Sequence, residues 1–127
     1  MQTKVLNLSD LKFNLDIWRS ELKFHANEMD LFEEKLEEIA RREFLPQALK
    51  ELEVFQNKIM IERDVISKLL HRIRNKRKKI ESADPTSNLN GNFQIEQHSL
   101  RDDMKTYIKL HYELKEAMMD YFLEYLQ

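Results

Sequence analysis

The chain has no cysteine, and among its 127 residues there are one glycine and two prolines. Without thiols it can build neither disulfides nor thiolate metal centres, and a reducing compartment is the natural expectation. A single glycine, Gly91, suits long helices and disfavours a sheet protein with its many tight turns. No apolar run approaches the roughly 20 residues that span a bilayer. The segment Met1-Gln2-Thr3-Lys4-Val5 carries one lysine and no apolar core, so no signal peptide is expected. There is no Gly-rich phosphate loop, no nucleophile elbow and no convincing Ser–His–Asp set. These lacks point to a cytoplasmic, soluble protein that is not an enzyme.

What the chain does have is charge and helical periodicity. Charged residues make up 35% of it, and its length supports one domain, 1–127, with a modest core. Three stretches carry apolar residues at alternating spacings of three and four, the a/d pattern of packed helices. The first stripe is Leu8, Leu11, Leu15, Trp18, Leu22, His25, Met29, Phe32, Leu36, Ile39, on a helix expected over 9–42 with Ser9 as N-cap and Asp10 in the first turn. Pro46 fits the first position of a second helix over 46–81, where its missing N–H costs nothing. There Leu45, Leu52, Ile59, Ile66, Ile73 and Ile80 recur every seven residues, with Ala48, Phe55, Glu62, Leu69 and Lys76 as companions. The turn formers of 82–92 predict a flexible loop. A third helix is expected over 93–126, with the stripe Gln97, Leu100, Met104, Tyr107, His111, Leu114, Met118, Tyr121, Tyr125. Matched helix lengths and one short connection predict an all-α, up-down-up antiparallel three-helix bundle.

Each stripe is interrupted mid-way by a polar residue: His25, Glu62 and His111. Folding the helices back on one another brings the three to one level of the core. Buried ionisable groups are costly unless paired. A carboxylate accepting N–H bonds from two imidazoles satisfies that demand and fixes helix register, as a buried polar a/d residue does in coiled coils. The alternative is a metal site, zinc or iron, because two His and one Glu form many three-ligand zinc centres. Glu21 and Glu28 lie on the same flank as His25 and are further candidate ligands. Ferritin-like di-iron bundles use Glu-x-x-His on two helices, and no Glu here is followed three residues later by His. His71 and His98 map to outward positions. The Glu–His pair is capable of general acid–base work, but substrate would need a cleft that a closed three-helix core does not announce. No cofactor is therefore expected.

Two surface features remain. Arg72, Arg74, Lys76, Arg77, Lys78 and Lys79 crowd the end of the second helix. Such a run can contact nucleic-acid phosphates. It also suits the negative end of a helix and pairing with Asp10, Asp16, Glu96, Asp102 or Asp103. With a pI of about 6.1 and no stacking aromatic within the run, nucleic acid is not the expected partner. The second feature is spare apolar surface: Ile17, Phe24 and Leu31 on helix 1, Val54, Ile61 and Val65 on helix 2, and Ile108, Tyr112, Met119, Phe122 and Leu126 on helix 3. Contiguous exposed apolar patches mark contacts, so the expected partner is another protein or a second copy in a two-fold homodimer. The interface is expected to include Ile17, Phe24, Leu31, Val54 and Ile61, centred on helix 1. Charge is uneven along such a bundle. The end formed by 26–56 and 112–127 holds 5 Lys/Arg against 13 Asp/Glu, a net −8, and the other end holds 16 against 10, a net +6. Such a field can orient partners, though scattered solvated charge explains it as well.

Finally, Glu21-Leu22-Lys23-Phe24-His25 with Phe55-Gln56-Asn57 resembles a family of small helical-bundle proteins from Bacteroidetes bacteria. The match covers helix 1 and the first half of helix 2. It implies a bacterial source and brings no activity, cofactor or partner.

Overall fold

Pairs of residues far apart in sequence fix the topology. Along the first two helices, Lys12 meets Glu81, Asp16 meets Arg77, and Asp30 and Glu33 meet Arg63. One number rises as the other falls, so these helices are antiparallel. The second and third helices pair Lys76 with Glu96, Arg72 with Asp103, Glu62 with His111 and Ala48 with Tyr121, again antiparallel. The first and third pair Leu11 with Gln97, Glu28 with Lys115 and Phe32 with Phe122, and run parallel. This is the expected up-down-up three-helix bundle. The computed structural model describes residues 8–42, 45–84 and 92–125. Its helices are α1 (Leu8–Arg42), α2 (Pro46–Glu81) and α3 (Asn92–Tyr125). Phe44, Leu126 and most of the expected 82–92 loop, residues 85–91, lie outside the described residues.

Local chemistry sets the visible helix ends. Leu45 is extended (φ −69°, ψ 125°), as the residue before a proline must be, and Pro46 opens α2 at its first position. The Leu49 N–H closes the first turn onto the Leu45 carbonyl at 3.1 Å. Leu45 stands outside the helix and is exposed, so the seven-residue series loses its first member. At the other end the Ser82 N–H and Oγ–H both donate to the Lys78 carbonyl, satisfying an otherwise orphaned acceptor. Ser9, expected just ahead of the first helix, lies within it, since α1 already runs at Leu8.

The stripes face inward as their spacing requires. The core is not continuous. One cluster contains Leu11, Leu15, Leu22, Ile66, Leu69, Ile73, Leu100, Met104 and Tyr107. The other contains Met29, Phe32, Leu36, Ile39, Leu52, Ile59, Leu114, Met118 and Tyr121. Each fully buried side chain of this size contributes ~1.5–3 kcal/mol by leaving water. Between the clusters lie His25, Glu62 and His111, all buried. Trp18, Phe55 and Tyr125, expected in the core, are half-buried at the margins of these clusters. Phe122, expected as spare surface, is 7% exposed and packs on Phe32. Val65 and Ile108 likewise pack against the first cluster. A wide helix face buries flanking positions as well as the a/d line, which is why these three leave the surface.

Candidate functional site

The polar layer is real and more connected than its three-residue outline. His25 on α1 and His111 on α3 stack face to face, with ring centroids 3.7 Å apart and planes at 9°. His111 Nδ1 hydrogen-bonds the Glu62 carboxylate from α2. His25 Nδ1 lies 2.6 Å from the Tyr107 hydroxyl. The Glu62 carboxylate also acts on the Tyr107 phenol through its charge. On the other side, His111 Nε2 sits 3.6 Å from Glu28 Oε1 on α1, and Glu28 Oε2 accepts from Lys115 Nζ at 2.6 Å. Tyr112 stands edge-on to both imidazoles.

His25 Nδ1 and the Tyr107 hydroxyl share one hydrogen bond, which the phenol can donate or accept. His25 is held down to about 4, first by burial, then by His111, against the opposing pull of Glu28 and Glu62. It is therefore neutral at pH 7, as a ring with one proton must be. The Tyr107 phenol is pushed well above its ordinary range, first by burial and then by the Glu62 carboxylate. Glu21 adds to that shift through its charge. Three buried atoms in and beside the layer have no hydrogen-bond partner: His25 Nε2, His111 Nε2 and Glu28 Oε1.

The expected arrangement, with Glu62 bridging two imidazoles, is corrected. Glu62 serves one imidazole, and the second stacks on the first and bonds the Tyr107 hydroxyl through Nδ1, with its Nε2 left unpartnered. The stack also bears on the metal alternative. The two rings lie in nearly parallel planes, and both Nδ1 atoms are taken by Glu62 and Tyr107. Among the described residues, no three His, Asp or Glu side chains are grouped so that they hold a metal ion. Lys115 and Tyr112 went unrecognised from sequence, although Lys115 is one turn beyond His111 and so on the same flank. His71 and His98 are exposed, as expected.

The closed core does have an opening. A hollow of about 300 Å³ between α2 and α3 is lined by Ile61, Val65, Leu110, Leu114 and Ala117, with Glu62, Tyr107 and His111 at its floor. It adjoins neighbouring hollows at both ends, sharing Lys58 and Ala117 with one and Val65, Tyr107 and Leu110 with the other. Neither His25 nor Glu28 lines it.

The basic run is largely engaged within the bundle. Arg72 pairs with Asp103 at 2.5 Å, and Arg77 with Asp16 and Glu81 at 2.8 and 3.0 Å. Lys76 is buried, donates to Glu96 at 3.0 Å and lies over the Phe93 ring. Lys79 acts on Glu96 through its charge. Arg74 and Lys78 make no ion pair among the described residues. Of the spare apolar residues, Ile17, Phe24, Leu31, Val54, Ile61, Tyr112 and Met119 are exposed. Among the described residues no helix is long and apolar enough to cross a membrane. No protein-family model, curated protein or solved structure matches the chain.

Proposed function

We propose that the protein is a non-enzymatic helical bundle that works by protein–protein contact, self-association included. One observation carries the reading. Large apolar side chains stand exposed in lines at helical spacing: Ile17, Phe24 and Leu31 on α1, and Val54 and Ile61, seven residues apart, on α2. Scattered exposed apolar residues are normal, but aligned ones share one face of a helix, as the residues of contact surfaces do. The polar layer supports the same reading, because its Nδ1 atoms, its carboxylate and its phenol are spent on one another. That is the arrangement of a group that fixes structure.

The test is sedimentation of the full chain between about 1 and 200 μM, a range that spans typical protein-contact affinities. Self-association is expected, with at least one of Phe24→Glu, Leu31→Glu and Ile61→Glu yielding a folded monomer. A parent chain that stays monomeric throughout, with its helical circular dichroism intact, removes self-association from the reading.

A further inference from the structure

We infer that the hollow between α2 and α3 is the seat of a second copy of this chain, docked antiparallel about a two-fold axis close to Ile61. The inference rests on the self-association reading and says where and how the copies meet.

The shape of the hollow comes first. It is not a bounded pocket. Its walls continue from Glu51 and Glu124 at one end to Arg72 and Asp103 at the other. Twenty-one residues of α2 separate Glu51 from Arg72, a seam about 30 Å long at 1.5 Å per residue. An open seam of that length fits a helix rather than a small molecule. At the floor Glu62 is held by His111. Val54 and Ile61 on α2 and Leu110 on α3 stand exposed at the edges, with Lys58 and Glu113 among them. Helices pack by fitting ridges into such grooves.

Charge selects the occupant. Among the described residues the two ends of the bundle are of opposite sign, 5 Lys/Arg against 12 Asp/Glu (net −7) and 15 against 10 (net +5). The seam carries that polarity in weaker form: Glu51, Asp120 and Glu124 rim one end with Lys58, and Lys68 and Arg72 stand near the other with Asp103, the partner of Arg72. Ile61 lies mid-way between Glu51 and Arg72. A two-fold axis there places the acidic end of each copy beside the basic end of the other, twice per dimer. It also places Ile61 beside its own symmetry mate, the self-complementary contact of an isologous interface. A parallel arrangement would set acid against acid and base against base. The α1 strip of Ile17, Phe24 and Leu31 stays outside this contact.

The experiment compares four charge insertions at exposed positions. Ile61 is 64% exposed and Leu110 58%, so Ile61→Glu and Leu110→Glu leave the core intact; Phe24→Glu and Leu31→Glu serve as comparison. Circular dichroism and thermal melting confirm folding. The first two variants are expected to sediment as monomers at concentrations where the parent is a dimer, and the α1 variants as dimers. If Ile61→Glu and Leu110→Glu remain dimeric while the α1 variants dissociate, the groove is wrong and self-association stands. If the parent is monomeric up to about 200 μM, both readings fall and the groove is left to a different partner. Helix direction is tested by cross-linking, which the cysteine-free chain makes simple. Val54→Cys and Lys68→Cys lie at nearly equal distances on either side of Ile61, so oxidation of a mixture is expected to give the mixed disulfide in preference to Val54→Cys self-linked dimers. Preferential self-linkage of Val54→Cys overturns the antiparallel arrangement.

Discussion

Acid should weaken this protein through one imidazole. His25 is buried neutral, with its pKa held near 4 against an ordinary value of 6.5. In the unfolded chain the ring takes up a proton as pH falls through 6.5, whereas the folded ring resists until about 4. The unfolded state thus binds more protons across that window, and stability falls as pH falls. The groups facing the ring are Glu28 on α1, Glu62 on α2, and Tyr107, His111, Tyr112 and Lys115 on α3. At 1.36 kcal/mol per pKa unit the full loss is about 3 kcal/mol by pH 4, and about 2 kcal/mol is already gone at pH 5. Small domains have roughly 5–15 kcal/mol in all. The control is His25→Phe, which keeps a flat ring against His111 and removes the titration. It forfeits the bond to Tyr107, about 1 kcal/mol at pH 7. Urea unfolding at pH 7, 6 and 5 should therefore show the parent more stable at pH 7 and the order reversed by pH 5. An NMR titration of the His25 ring in the folded protein tests the cause directly. A midpoint at 6 or above, or parallel loss of stability in parent and variant, refutes the argument.

Two further predictions concern the core. Glu62→Leu leaves the His111 Nδ1–H buried without an acceptor; denaturant unfolding should show a loss of about 1–3 kcal/mol, and an unchanged midpoint and slope contradict the role given to the carboxylate. Tyr121 donates its hydroxyl to the Ala48 carbonyl at 2.7 Å, tying α3 to the first turns of α2; Tyr121→Phe should cost about 1 kcal/mol, seen as a small fall in melting temperature without loss of helix.

Much of this was legible in the sequence, and the reasons are specific. Helix boundaries followed from Pro46 and from unbroken three-four spacing, because one residue out of step would turn a stripe away from the core. The meeting of His25, Glu62 and His111 followed from counting back across two turns, since a helix rises uniformly. The bonding within the layer did not follow. Spacing fixes the height and facing of a side chain, and the choice between stacking His25 on His111 and aiming it at Glu62 depends on ring rotation. Likewise the α2–α3 seam depends on how far α3 stands from α2, a distance that no heptad pattern encodes. Phe122 and Trp18 exchanged roles for a related reason: how much of a flanking position is buried depends on the breadth of the neighbouring face.

The layer's value lies in what it forbids. The two apolar clusters are built from Leu, Ile, Met and aromatic residues that could interchange if one helix slid by a heptad, because each a/d position would still meet another apolar one. A slide of α3 by seven residues would take His111 away from Glu62 and set it among Met29, Phe32 and Ile59, or among Leu22 and Ile66, with its Nδ1–H unpaired. It would also strip Glu62 of its His111 donor. Each orphaned buried group costs about 1–3 kcal/mol, and more for the carboxylate, whereas the apolar exchanges cost little. The penalty on the wrong register is thus comparable to the whole stability of a small domain, although the layer contributes little net energy to the right one. A fixed register would serve the contact function proposed above. It holds Ile61 and Leu110 at matched heights on either side of one seam, and it keeps the acidic and basic ends of the bundle where a second copy would meet them.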